Sequence, residues 1–249
     1  MIRRYGSTGA QASGPLVAED ALLDGRFPLA GGARSRKSCA MKLYDYSASG
    51  NCYKVRLLLA LLGTPYTRVP IDIFAGETLG SEYARLNPAR ETPVLELEGG
   101  EIVTQSNAIL WLLARGTRFA AQTDVEEAQV LQWLFFEQER LMPGVAGTRF
   151  RRLTGRPVPA GREELGREAL AMLDGQLAEQ PFVVGERCSI ADLSLYAYTN
   201  VAHEAGFDLT ALPAIVAWLG RVERQPGFVN DLEPYPSSAH AGSGSSIYG

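Results

Sequence analysis

β-Strand signals fill one stretch of this chain and then cease. Lys42 to Tyr46 and Thr67 to Ile73 carry alternating or β-branched residues, and Val94 to Glu98 with Glu101 to Thr104 read as a two-residue hairpin across Gly99-Gly100. From Thr123 onward every periodic segment is helical. Such a break predicts two architectures in series: an α/β half, built as a small mixed sheet with helices on both faces, then an all-α half.

Helices in the first half are marked by period and punctuation. Val55, Leu58, Leu59 and Leu62 share a face over Asn51 to Leu62, and Gly63 followed by Pro65 ends that helix. A helical turn over Ser81 to Leu86 stops at Asn87-Pro88, and another helix runs from Ser106 to Ala114, ended by Gly116. The order is βαβ, helical turn, ββ, α, with Pro70 suggesting that the second strand is an edge. Residues 41–115 thus make one domain, 116–122 a linker, and 123–234 a helical domain. Thr123 with Glu126 has the form of a capping box opening a long helix, with Val130, Trp133, Leu134 and Leu141 as its stripe. Arg162 to Leu177, Ser189 to Ala205 and Pro213 to Gln225 are the remaining helices.

Composition excludes several classes. Hydrophobic content of 46% and charged content of 21% over 249 residues suit a globular chain long enough for two cores. No apolar run approaches the roughly 18 residues that span a bilayer, so no membrane role is expected. Residues 1–40 hold six Arg and Lys against three Asp and Glu, so the chain's net charge of −4 leaves −7 on the remainder. A body that acidic repels phosphate backbones, which argues against nucleic acid as a partner. Cys39, Cys52 and Cys188 show no CxxC or His-paired spacing, and neither His203 nor His240 completes a metal set with them. The expectation is no metal, no disulfide framework, and a reducing, cytoplasmic setting.

Both ends stand apart. Residues 1–40 are rich in Gly, Ala, Ser and Arg; Arg3 and Arg4 hint at a transit peptide, but Glu19, Asp20 and Asp24 speak against it. An unstructured tail, or a start placed ahead of Met41, is expected. Residues 235–249 are polar and Gly/Ser-rich over Ser237 to Gly249, and are expected to be disordered.

Four segments, in order, resemble the glutathione S-transferase family. LYDYSASGNCYKVRLLLALLG is similar to its first strand and helix, in bacterial forms with Ser or Thr before the helix. LNPARETPVLEL resembles the turn that enters a strand through a cis-proline, TQSNAILWLLA the motif that holds the glutathione carboxylate, and CSIADLSLY the buried capping box of the second domain. Together they cover residues 41 to about 230. The resemblance implies a thioredoxin-like first domain, glutathione as co-substrate, and a homodimer in which the Ser106 and Thr123 helices line the interface.

Site residues follow by resemblance. Ser49 donates its hydroxyl to the glutathione thiolate; Asn51 is a second donor or the helix cap; Tyr46 is the fallback donor. Thr92, before a cis Pro93, offers its backbone to the cysteinyl unit. Gln105 and Ser106 hold the γ-glutamyl head group, at a helix N-terminus where free N–H groups favour a carboxylate. Many relatives have a Lys where this chain has Glu91, so Arg90 or another cation must meet the glycyl carboxylate. Read from the residues alone, Ser49-Gly50-Asn51 is an ordinary turn and cap, Ser106 an N-cap, and Pro93 a trans proline at a strand start. Cys52, in a first helical turn, competes as a reactive thiol but points away from Ser49 and has no resolving partner. Ser189 with Asp192 reads as a structural capping box. His203 is an ordinary histidine; Trp133, Phe135 and Phe136 belong to core and dimer surface, and Phe136, Glu137 and Arg140 face the interdomain cleft. The function expected is conjugation of glutathione to a small electrophile. The rivals are a glutathione-dependent disulfide or peroxide reductase using the same Ser49 and Asn51, and a non-catalytic interaction module.

Overall fold

The computed structural model describes residues 41–248, and all structural statements concern those. The expectations for residues 1–40, Cys39 included, lie outside them. The first half runs β1 (Lys42–Asp45), α1 (Gly50–Leu62), β2 (Thr67–Pro70), a 3-10 turn (Glu77–Leu79), α2 (Ser81–Leu86), β3 (Val94–Glu96), β4 (Ile102–Thr104) and α3 (Ser106–Ala114). The sheet order is β2-β1-β3-β4, with β1 parallel to β2 and antiparallel to β3, and β3 antiparallel to β4. Leu43 pairs with Arg68 on one side and Leu95 on the other, so the buried residues of the central strands align across the sheet. β2 is an edge and stops at Pro70, whose missing N–H cannot extend a ladder.

The hairpin differs from the expected two-residue turn. Leu97 N–H donates to Glu101 O and Gly100 N–H to Leu97 O, so five residues, 97–101, separate the shorter strands, and Gly100 takes a left-handed φ of 91°.

α1 explains how the halves join. Val55 and Leu59 pack with Leu43, Leu95 and Ile109 under the sheet, whereas Tyr53, Leu57, Leu58 and Leu61 enter the large core of the helical half. A helix sandwiched between two layers is buried almost all round, hence its lack of a polar face. Its two cations are paired inside: Arg56 with Asp45 at 2.6 Å and Lys54 with Glu137 at 3.1 Å.

The helical half comprises α4 (Asp124–Phe136), a π-helical stretch (Glu137–Ala146), α5 (Gly147–Leu153), α6 (Arg162–Glu179), α7 (Ile190–Thr199), a 3-10 turn (Ala202–Ala205) and α8 (Pro213–Glu223). The long helix expected through Leu141 changes pitch at Glu137, ahead of Pro143, which cannot donate to the α ladder. Beside it Gly144 lies against the Gly166 backbone of α6, where an added Cβ would sit 2.6 Å from Gly166 N. The Ser189–Asp192 capping box is present and fully internal. Asp192 accepts from Ser189 N, Val183 N and the Trp218 indole, at 2.8, 3.0 and 3.0 Å.

The C-terminal segment departs from the expected disorder. A 3-10 turn (Ser237–Ala239) buries Ala239 completely. Ala241 N–H donates to Thr154 O and Ser245 N–H to Phe74 O, each at 2.9 Å. The composition that suggested disorder is what lets the strap lie flush: Gly244 sits so close to Phe74 O that an added Cβ would be 2.6 Å away. Among the described residues, no helix is long and apolar enough to cross a membrane.

Candidate active site

Two helix N-termini converge beside β3. Ser49 caps α1 in extended conformation and its Oγ accepts from Cys52 N at 3.3 Å. A serine hydroxyl has one proton and two lone pairs, so capping leaves its proton free to donate. Asn51, in the first turn, accepts from Ser106 Oγ at 3.2 Å, which ties α1 to the first residue of α3. α3 has no side-chain cap and no acidic residue in its first turn. Its leading N–H groups have no acceptor within the helix, an arrangement that can hold an anion. Gln105 precedes it at φ 66°, ψ 111°, a left-handed backbone unusual for a residue with a side chain, and stands exposed. The Thr92-Pro93 bond is cis, and the Thr92 side chain reaches the Cys52 thiol. Ser49, Asn51, Thr92, Pro93 and Ser106 are thus brought to one place, with Gln105 at its rim.

Arg90 is differently engaged. Its backbone is left-handed at φ 60°, and its Nη1 is turned to the carbonyl of Leu79, with that of Thr78 3.5 Å away. Cys52 is wholly buried, accepts from Tyr46 N through sulfur, and is pushed up to about 12 by burial. Glu137 does not face the cleft: it is fully buried, receiving Lys54 Nζ on one oxygen and Asn107 Nδ2 on the other at 3.0 Å. Phe136 packs edge-on against Trp133, with centroids 4.9 Å apart.

The Lys54–Glu137 pair, with Asn107 and Ser194 around it, escaped the sequence reading. Ser194 Oγ meets Asn107 Oδ1 at 2.7 Å, and Lys54 Nζ lies 3.2 Å from Ser194 Oγ. The available signal was a Lys inside an otherwise apolar helix, which burial obliges to find a carboxylate. No cluster of three or more His, Cys, Asp and Glu suited to a metal occurs among the described residues.

The sequence matches the family profile "Glutathione S-transferase, N-terminal domain" over residues 48–115 and "Glutathione S-transferase, C-terminal domain" over 154–226. A crystal structure of a glutathione S-transferase from Pseudomonas fluorescens Pf-5 is 44% identical, with a TM-score of 0.74, covering 78% of this chain and all of that one. The chain belongs to the glutathione S-transferase family. Among curated relatives, the maleylacetoacetate isomerase of Rhizobium meliloti is 32% identical over 70% of this chain and 87% of its own. The disulfide-bond oxidoreductase YfcG of Escherichia coli K12 is 27% identical over 73% and 89%. As a member of this family the chain uses glutathione as co-substrate, in a transferase or oxidoreductase reaction.

Proposed function

We propose that this protein conjugates the glutathione thiolate to a small electrophile, with Ser49 as the group that keeps the sulfur ionised. The observation that carries this is the pairing of two helix N-termini through Asn51 and Ser106, 3.2 Å apart. A tripeptide with a carboxylate at one end and a thiol in the middle needs both. The γ-glutamyl carboxylate takes the open N–H groups at Ser106 and the Gln105 amide, while the cysteinyl backbone pairs with Thr92 ahead of Pro93. The thiolate receives the free proton of the Ser49 hydroxyl, with Asn51 Nδ2 as the neighbouring donor. A free thiol has a pKa near 8.5, and each unit of depression needs about 1.4 kcal/mol, within reach of one charge-assisted hydrogen bond plus the helix terminus. Arg90 keeps N–H groups beyond its Nη1 for the glycyl carboxylate.

Reduction of a glutathione mixed disulfide is the second reading, favoured by the likeness to a disulfide-bond oxidoreductase. In that reaction bound glutathione itself must be the attacking thiol, since Cys52 is sealed from the site. The enzyme is expected to work as a homodimer in a reducing, cytoplasmic setting. Trp111 on α3 with Val125 and Phe135 on α4, the last two 69% and 64% exposed, supply an apolar face for it. The deciding experiment compares conjugation of an aryl halide with reduction of a small glutathione mixed disulfide. Turnover of the disulfide alone overturns the transferase reading, and failure to bind glutathione removes both in favour of an interaction module.

A further inference from the structure

Two buried donors beside this site have no acceptor. The Tyr46 hydroxyl, on a residue 5% exposed at the end of β1, meets no hydrogen-bond partner. Arg149, on α5 and 2% exposed, bonds Glu204 through Nε at 2.6 Å, but its Nη1 meets none. Leaving a buried donor unmade forfeits its water without return, most of all on a charged group. Such groups call for an occupant.

The two donors belong to one cradle of aromatic rings. Tyr46 is edge-on to Phe74 at 5.8 Å, Phe74 stacks on Phe150 at 6.2 Å, and Phe150 meets Tyr235 at 5.6 Å. The Arg149 guanidinium closes the row, 5.2 Å from the Tyr235 centroid. Arg156 lies over Phe74 and Phe150, bringing a second cation to the same rings. Of the carboxylates around the cradle, Asp72 receives Phe74 N and Ala75 N, Glu204 is held by Arg149 Nε, and Glu233, which also acts on the Tyr46 hydroxyl, is exposed to solvent. The cradle adjoins the proposed thiolate position through Tyr46 itself, whose carbonyl accepts from Ser49 N–H at 3.0 Å. The strap forms its outer wall, and Tyr248, packed on Phe74 and Phe150 yet 46% exposed, is the removable piece.

Resting on the transferase reading, we infer that Tyr46 and Arg149 seat the second substrate, and that this substrate is a small planar or unsaturated acid. Its carboxylate takes the Tyr46 O–H and the Arg149 Nη1–H, its body replaces the Tyr248 ring against Phe74 and Phe150, and its electrophilic carbon faces Ser49. A carboxylate fits better than a neutral carbonyl because both orphan groups are donors and one carries full charge.

The test is binding of 3-nitrobenzoate against 3-nitrobenzamide, titrated calorimetrically into the full chain saturated with glutathione. Neither probe has a leaving group, so affinity is read without chemistry. The acid is expected to bind about tenfold or more tighter than the amide, as one or two charge-assisted bonds require. Tyr46→Phe and Arg149→Met should each erase most of that preference while leaving glutathione affinity as it was. Equal binding of acid and amide, or a preference that survives in both variants, overturns the inference. Should Arg149→Met not fold once Glu204 loses its partner, Tyr46→Phe, which removes only a hydroxyl, decides alone. Turnover of 4-chloro-3-nitrobenzoate separates the two readings: the C–S bond forms, the C–Cl bond breaks, chloride leaves and the thiol proton passes to solvent. Selective binding of the acid without chloride release keeps this seat and sinks conjugation; chloride release without charge selectivity does the reverse.

Discussion

Lys54 and Glu137 meet at 3.1 Å with neither side chain reaching solvent, one on the first helix of the sheet half and the other at the pitch change of the helical half. The pair holds the halves in register, and burial pushes the Lys54 ammonium down while Glu137 pulls it back up. Glu137→Leu strands a buried cation and should cost about 3–5 kcal/mol in urea unfolding. The double variant Lys54→Met with Glu137→Leu should regain most of it. A single variant with an unshifted midpoint would show the pair to be hydrated.

The proposed mechanism divides by position along the tripeptide. Ser49→Ala should raise the pKa of bound glutathione by about one unit, from loss of one hydrogen bond to a charged group. Turnover near neutral pH should fall about tenfold and partly recover as pH rises. Ser106→Ala should weaken glutathione binding and leave the thiol titration nearly unchanged. Cys52→Ser should alter neither. Thiolate ultraviolet absorbance against pH reads all three, and an unshifted curve in Ser49→Ala with a shifted one in Tyr46→Phe transfers the role to Tyr46.

Alkaline pH should unfold the protein cooperatively. Burial raises the hydroxyls of Tyr46, Tyr53, Tyr83, Tyr196 and Tyr198, and lifts Cys52 to about 12. A proton held more tightly in the folded chain gives stability that is complete below the unfolded value, near 10 for tyrosine, and is lost as pH climbs beyond it. Phenolate absorbance should therefore appear together with loss of helical circular dichroism above about pH 10. Phenolate signal from these residues in a still-folded chain would contradict their burial.

A chain ending at Pro234 loses the strap's bonds to Thr154 and Phe74 and the burial of Ala239. Its melting temperature should drop by about 2–4 °C for each kcal/mol those contacts contribute. An unchanged melting temperature would mean that the segment is detached in solution.

Assembly gives the remaining test. Light scattering at micromolar concentration should report twice the chain mass of 27.0 kDa, and Phe135→Glu, placing charge in the apolar face on α4, should shift it toward one chain. A wild-type monomer would remove the dimer from the proposal.

Period and punctuation carried the fold far. Gly63, at φ 61°, ends α1 where its sequence position implied, and Thr123 caps α4 through Glu126 N–H. What they could not carry was pairing over distance. Lys54 meets a carboxylate 83 positions away and Arg56 bonds Asp231 as well as Asp45, and neither partner is marked locally. The strap was misread for a related reason: its order comes from backbone N–H groups that any Gly/Ser sequence possesses, given a carbonyl to meet. At the site, Ser49 was legible as a cap from its own neighbourhood, whereas Ser106 is the first residue of α3, with Gln105 at the cap position, and the bond joining Ser106 to Asn51 exists only in the folded chain. Arg149 gave no signal, because an orphan donor is defined by what surrounds it.

The path of the chain after α8 has a mechanical consequence. Residues 116–122 join the halves once; the stretch beyond α8 returns and joins them again. Tyr53 bonds Val229 O, Glu233 N–H bonds Ser47 O, and the strap then fastens to Thr154 and Phe74 in turn. A plate hung on one hinge swings freely, whereas one pinned at a second, distant point does not. Opening this cleft therefore requires the second pin to be drawn, which means breaking the bonds at Ser47, Thr154 and Phe74.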